Sequence, residues 1–457
     1  MDKNNKDKHK KYKRFYKKNT IYWGLGIENE MYLEFEKQKK INKKYILDHK
    51  KRERYSVDYF SNYKSDSGLK DYIDHLEFEN LEIPILLNSH SFIHTDMYNN
   101  PKTLYTKLLE NNEKYIGSSL IESLENDNQY FKNNDSWIFD GDTIEIVTVN
   151  FFNNTLYKII DELKKNKSEF IKNLNDSFKR LGIFKEYGTV SFMKRNYPFA
   201  NYLTNQENIN MFNNGTLHYN ITLPTKLNES GNIENVESFV KDHSKAIKII
   251  QWMEPFLIAV YGSPDPLGYS KASQRCAVSR YISIGTYNSD TMKIGKILKI
   301  KPDEFDFDYW WYNKINGYNK LEEIGLDINF NKHYNHGIEL RFFDHLDPLR
   351  IKQSFKFIIF LMDLILESDN ILNFDNPIFN KTWNKFVVNI MNIGENYNLN
   401  RDEKEIYQKI FGFKFKKNNV CDIYNELYKK FKRKRPGRFS KLVLKKRSFF
   451  ESLLCKT

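Results

Sequence analysis

Four short segments of the chain set charged side chains into otherwise apolar runs at a spacing of two. Gly26-Ile27-Glu28-Asn29-Glu30-Met31-Tyr32-Leu33-Glu34-Phe35 reads as one strand. Side chains alternate faces along a strand, so Ile27, Met31, Leu33 and Phe35 point one way and Glu28, Glu30 and Glu34 the other. Two glutamates two residues apart on one face can share a hard cation or bridge a pair of them. An acidic, solvent-facing sheet surface gives the same alternation.

Thr143-Ile144-Glu145-Ile146-Val147-Thr148-Val149 is entered through the turn Asp140-Gly141-Asp142. Glu145 is its only charge, and a carboxylate in so apolar a strand is costly to bury unless it is paired or metal-bound. A glutamate at a strand edge reaching water is the alternative. Thr216-Leu217-His218-Tyr219-Asn220-Ile221-Thr222-Leu223, closed by Pro224, divides into an apolar face and a polar one, with His218, Asn220 and Thr222 on the polar face. A histidine there serves either as a hydrogen-bonded structural group or as a ligand. Ile338-Glu339-Leu340-Arg341-Phe342 puts Glu339 and Arg341 on one face. They form an ion pair, or else Glu339 holds a metal while the planar Arg341 guanidinium meets phosphate oxygens in bidentate fashion.

Taken together the segments describe a sheet with a packed side and a reactive side. The elements around them agree with that picture. Apolar residues recur at helical spacing from Asn154 to Leu181, stopped by Gly182, and a second long helix is expected from Val236 to Tyr261. Strand-like runs dominate the stretch before residue 150, and the chain is helical from Leu349 onward. Strands and helices mix without a regular βαβ alternation, so the fold class is α+β. Neither G-x-G-x-x-G nor GxxxxGK[ST] occurs, and any nucleotide must be held by another device.

In this order the four segments resemble the glutamine-synthetase-like carboxylate–amine ligases, a superfamily that includes glutamate–cysteine ligases and the amidoligases. Its G-[IV]-E-x-E strand is matched by Gly26 to Glu30, and its D-G-[ST]-x-E-[IL]-V strand by Asp140 to Val147 with one extra residue. Thr216 to Asn220 is similar to G-x-H-x-[HN], and Glu339 to Asp344 to E-[FLV]-R-x-x-D. Tyr261-Gly262-Ser263-Pro264, followed by Arg275 and Arg280, is similar to a small-Ser-Pro turn and Arg-bearing loop of the superfamily. Thr216 replaces the usual Gly, and Asn220 stands where a second His is common.

The resemblance implies a largely antiparallel, curved catalytic sheet backed by helices over residues 21–350, after a basic tail (1–20) and before a helical C-terminal region (351–457). It implies an ATP-dependent ligase that joins a carboxylate to an amine through an acyl phosphate, with Mg²⁺ or Mn²⁺. Glu30 and Glu145 would hold one ion, and Glu28, His218 and Glu339 a second. Arg341, assisted by Arg275 or Arg280, would stabilise the transferring phosphoryl group, and Asn220 with Arg341 would contact the nucleotide. The partners implied are small carboxylates, amines or peptides. A guanido-kinase type of phosphotransfer would use the same residue types.

Composition narrows the remaining choices. Of a net +13 over 457 residues, the first 18 residues carry +7 and residues 429–447 carry +11, which leaves the body at −5. A nucleic-acid-binding role acting through the basic ends is therefore the rival to an enzyme, since a mildly acidic body suits cations better than phosphates. Hydrophobic residues at 40% exclude a largely disordered chain. Cys276, Cys421 and Cys455 form no CxxC pair, so neither a disulfide framework nor a zinc cluster is indicated and a reducing, cytoplasmic setting fits. The most apolar stretch, Phe357–Leu366, carries Asp363 and reads as a buried helix rather than a membrane span. His90, His94 and Asp96 share a strand spacing compatible with metal or with a pocket rim. The aromatics Tyr309, Trp310, Trp311 and Tyr312 suit either base stacking or packing on the core.

Overall fold

Glycines and β-branched or aromatic residues build strand β1 (Ile21–Met31), on which the main sheet is centred. A computed structural model describes residues 21–42, 80–87, 119–140, 143–193, 215–226, 234–262, 337–344, 346–375 and 380–445, with the short strands β8 (Tyr287–Asn288), β9 (Lys293–Ile294), β10 (Ile297–Lys301), β11 (Glu304–Asp308) and β12 (Ile328–Asn331) and a few isolated positions. Six strands pair in the order β12-β13-β7-β1-β5-β4, where β4 is Trp137–Asp140, β5 Thr143–Val147, β7 Gly215–Lys226, β12 Ile328–Asn331 and β13 Gly337–Asp344. Every pairing in this sheet is antiparallel. The fold class is α+β.

Three long helices back one face. Helix α3 (Leu156–Arg180) is capped by Thr155 and followed by Gly182 at φ 83°, a left-handed conformation that glycine adopts without penalty. It packs on β1 and β5. Helix α5 (Val236–Tyr261) covers β7 and β13, and α6 (Pro348–Glu367) packs across α5 and α3. The odd-numbered face of β7 carries Leu217, Tyr219, Ile221 and Leu223 into this layer, all buried. Tyr219 stacks on Phe355 of α6 at 4.4 Å and its hydroxyl lies 2.8 Å from Ser354 Oγ. Before α3 come two short helices, α1 (Leu120–Asp127) and α2 (Gln129–Lys132); after it comes α4 (Ile183–Tyr187).

The C-terminal helices extend the same core outward from α5. These are α7 (Lys381–Ile393), α8 (Arg401–Phe411), α9 (Val420–Arg433) and α10 (Arg438–Val443). The Tyr407 hydroxyl donates to the Trp252 carbonyl at 2.6 Å, and Tyr261 and Tyr424 share a hydroxyl bond at 2.7 Å. Among the described residues, no helix is long and apolar enough to cross a membrane.

Four sequence expectations are corrected here. The run from Gly26 to Phe35 is two strands: β1 ends at Met31, and β2 (Leu33–Asn42) joins a second sheet, β3-β2-β6, with β3 at Asn80–Leu87 and β6 at Val190–Phe192. Glu34 therefore pairs with Ser191 and Leu86, in a different sheet from Glu28 and Glu30. Strand β7 continues through Pro224 to Lys226, because the register with β1 slips between Tyr22 and Gly24 and a bulge has no need of the missing N–H. The strand-rich stretch before residue 150 contains the helices α1 and α2. Finally, β13 slips against β7 between Leu340 and Phe343, so an extra residue at 341–342 returns Phe343 to the apolar face, where its ring meets Tyr219 at 4.8 Å.

Candidate metal centre

The register of the sheet decides which side chains meet. Glu28 on β1 lies opposite His218 on β7, and Asn220 lies between Gly26 on β1 and Glu339 on β13. On the other side of β1, Glu30 faces Glu145 of β5. All of these are buried: His218 and Glu339 are 0% exposed and Glu30 and Glu145 4%. Asn29 and Met31, one residue out of phase, lie instead against α3, where Lys167 Nζ donates to Asn29 Oδ1 at 2.9 Å and sits 3.1 Å from Met31 Sδ.

The imidazole of His218 is the hub. Its Nδ1 is 3.4 Å from Glu28 Oε2 and 3.4 Å from Glu339 Oε1, while Nε2 is 3.5 Å from Glu30 Oε1. One ligand atom each from Glu28, His218 and Glu339 lies within 4.8 Å of the others. Asn220 Nδ2 donates to the second oxygen of Glu28 at 3.1 Å, which holds that carboxylate with Oε2 toward the histidine. Asn220 Oδ1 and Thr222 Oγ1 on the same face of β7 are buried without a hydrogen-bond partner among the described residues.

A donor set of two carboxylates and one imidazole suits a divalent ion of the Mg²⁺–Mn²⁺ type. Opposed oxygens around such an ion stand about 4.0–5.2 Å apart for metal–oxygen bonds of about 2.0–2.6 Å, so a 4.8 Å span fits a single coordination sphere. The two histidine nitrogens divide naturally. Nδ1 faces the two carboxylates that would share the ion with it, and Nε2–H then points at Glu30, the carboxylate–histidine arrangement that orients a ligating ring. Glu145 is outside the three-residue group and lies opposite Glu30.

Phe151 completes the site, and the sequence carried no signal for it. The Leu25 N–H donates to the Phe151 carbonyl at 3.1 Å, and the Phe151 ring lies over β1 at Gly24 and Gly26. A Cβ on Gly26 would stand 2.6 Å from that ring, and one on Gly24 2.0 Å from it. The glycines in front of the acidic pair therefore make room for an aromatic wall on the polar face. Thr148 fixes the same edge by accepting from the Ile27 N–H at 2.9 Å.

Of the residues singled out in the sequence, Glu28, Glu30, Glu145, His218, Asn220 and Glu339 come together on one face. Only the backbone of Arg341 is described, and the bulge at 341–342 means that simple alternation no longer assigns it the face of Glu339. Arg275, Arg280, His90, His94, Asp96 and the aromatics at 309–312 lie outside the described residues, as does the tail 1–20.

Over 430 residues the chain is 38% identical to "Uncharacterized protein R704" of Acanthamoeba polyphaga mimivirus, an alignment that covers 91% of this chain and 75% of the viral protein. The chain belongs to that protein's family. With 91% of the chain aligned, the aligned stretch necessarily contains β5, β7 and β13, three of the strands that build the site. No family model matches the chain.

Proposed function

We propose that the protein is an ATP-dependent carboxylate–amine ligase of glutamine-synthetase-like architecture, with divalent cations held on the polar face of its six-stranded sheet. The observation that carries this reading is the buried convergence of Glu28, His218 and Glu339 from three neighbouring strands, within one coordination sphere. Burying carboxylates is expensive, and a divalent cation is the partner that repays it in full.

Glu28, His218 and Glu339 would hold one ion, and Glu30 with Glu145, directly opposite on neighbouring strands, a second. ATP and its metal ions would supply a phosphoryl group that converts a substrate carboxylate into an acyl phosphate open to attack by an amine. The residues of the chain act by holding position. Asn220 fixes the Glu28 carboxylate, Glu30 orients His218 through Nε2, and Phe151 closes the end of the face against water. Such preorganised charge is the largest contribution a protein makes to phosphoryl transfer. Arg341, with Arg275 or Arg280, is proposed as the donor that stabilises the phosphoryl group in flight.

The test is an ADP-release screen with Mg²⁺ or Mn²⁺ against paired carboxylates and amines. A ligase releases ADP and inorganic phosphate only when both substrates are present. Release that needs a single guanidino acceptor and yields no inorganic phosphate would replace this reading with a phosphotransferase. Arg341→Lys keeps the charge but loses the bidentate fork, and should lower turnover by about 10²–10³ with ATP affinity nearly unchanged. Unchanged turnover removes Arg341 from the mechanism.

A further inference from the structure

The acid-free segment 429–447 is not a loose appendage up to residue 445. It forms the last turn of α9, a four-residue turn at 434–437, and α10. The turn is held from below by Asp363 of α6, whose carboxylate accepts from the N–H groups of Gly437 at 3.2 Å, Phe439 at 2.7 Å and Ser440 at 3.0 Å. A Cβ on Gly437 would come within 2.4 Å of Asp363 Cγ, so only glycine lets the turn sit this close.

Between this turn and α6 lies a groove of about 470 Å³. Its apolar lining includes Phe360 and Leu364 of α6, Phe431 of α9 and Leu444. Five cations line it as well: Lys432, Lys434 and Arg435 from the end of α9 and the turn, and Lys441 and Lys445 from α10 and the residues after it. All five are exposed, and none forms an ion pair among the described residues. Two carboxylates share the lining, Asp363 and Glu367, and Asp363 is engaged with three backbone N–H groups.

Five like charges brought together around one concavity repel one another, and the fold spends a buried aspartate to hold them there. Cations spaced along an aromatic-lined groove suit a chain of regularly spaced phosphates with planar groups attached. A flat lipid surface cannot enter the concavity. We propose that this groove binds single-stranded nucleic acid, with phosphates on Lys432, Lys434, Arg435, Lys441 and Lys445 and a base against the half-buried Phe360. The site is separate from the carboxylate cluster on the sheet and does not depend on the reaction proposed for it.

The experiment is fluorescence anisotropy of labelled 20-nucleotide dT and rU with the full chain, from 50 to 200 mM salt. Five phosphate contacts give a slope of log affinity against log salt of about −3.5. Because the basic tail 1–18 also attracts phosphates, the decisive comparison is with the full-length variant Lys434→Gln, Arg435→Gln, Lys441→Gln and Lys445→Gln. All four positions are exposed, so the variant should keep the wild-type melting temperature. It is expected to lose at least tenfold in affinity and to flatten the slope by about 3. Asp363→Ala keeps every cation but frees the turn, and should weaken binding several-fold. Equal affinity and slope in wild type and the fourfold variant would overturn the proposal, as would no binding at 50 mM salt. So would vesicles containing phosphatidylserine, or an acidic peptide, binding more tightly than the oligonucleotides with the same dependence on the four residues.

Discussion

Gly26→Ala puts the architecture of the site to a quantitative test that needs no ligand. The added Cβ would stand 2.6 Å from Phe151 Cδ2, 3.0 Å from Cε2 and 3.4 Å from Asn220 Cβ. Ordinary contact begins near 3.4 Å, so the ring must retreat by close to an ångström. It has little room to do so. Phe151 is 2% exposed, its ring meets Phe152 edge-on at 4.9 Å, and its carbonyl is tied to Leu25. Overpacking of this kind costs about 1–3 kcal/mol, and removing glycine from a strand returns about 0.5–1 kcal/mol, leaving a net loss of about 1–2 kcal/mol. For a chain of this length that lowers the melting temperature by only about 1–2 °C, so urea midpoints are the better readout. Phe151→Ala alone should cost about 3–5 kcal/mol. In that background the alanine at 26 has space, only the glycine contribution remains, and adding it should stabilise the chain by about 0.5–1 kcal/mol. An equal penalty for Gly26→Ala with and without the Phe151 ring would refute the reasoning, because the cost would then not come from this contact.

Three further outcomes are expected. Glu339→Gln and Glu28→Gln should each weaken Mn²⁺ binding by at least tenfold in isothermal titration while leaving the circular dichroism unchanged; no measurable Mn²⁺ binding by the wild type would count against the centre. Burial pushes the Lys167 ammonium down to about 8, so between pH 8 and its unfolded value near 10.5 the unfolded chain binds more protons and this residue's penalty fades as pH rises. The urea stability of wild type relative to Lys167→Met should therefore improve from pH 8 to pH 10, and a pH-independent difference would show that the amine is not desolvated. Asp363→Ala removes a charged acceptor from three backbone N–H groups and should cost about 1.5–3 kcal/mol, with faster hydrogen exchange at Phe439 and Ser440 as the local signature.

What the sequence revealed depended on whether the signal was local. Helix α3 was readable because Leu156, Ile159, Ile160, Leu163, Phe170 and Leu174 keep one face and Gly182 marks its end. Helix α1 carries an equally local sign, the capping box of Ser119 with Glu122, which the strand-like surroundings masked. The polar faces of β1 and β7 followed from alternation, and Glu28, Glu30, His218 and Asn220 were legible on that ground. The split at Tyr32 was not, because Met31, Leu33 and Phe35 continue the alternation smoothly while the backbone changes sheets. The slips at Pro224 and at 341–342 were invisible for a related reason: register belongs to the pair of strands, and a single strand's residues do not encode it. Phe151 was hidden because its partners, Gly24 and Gly26, are about 125 residues earlier and have no side chain to signal the contact.

The order β13-β7-β1 also fixes when the cluster can exist. Glu28 and His218 are 190 residues apart, and Glu339 lies a further 121 residues along the chain. At a synthesis rate of about 5–20 residues per second, roughly 15–60 s separate the emergence of the first glutamate from that of the last. During that interval the acidic strand has no histidine opposite it and then no third carboxylate beside it. A cation that needs all three ligands can be captured only after β13 has docked on β7. Ion capture is thereby tied to completion of the sheet, and a ribosome-released fragment ending before residue 337 would lack the third ligand however well its earlier strands had formed.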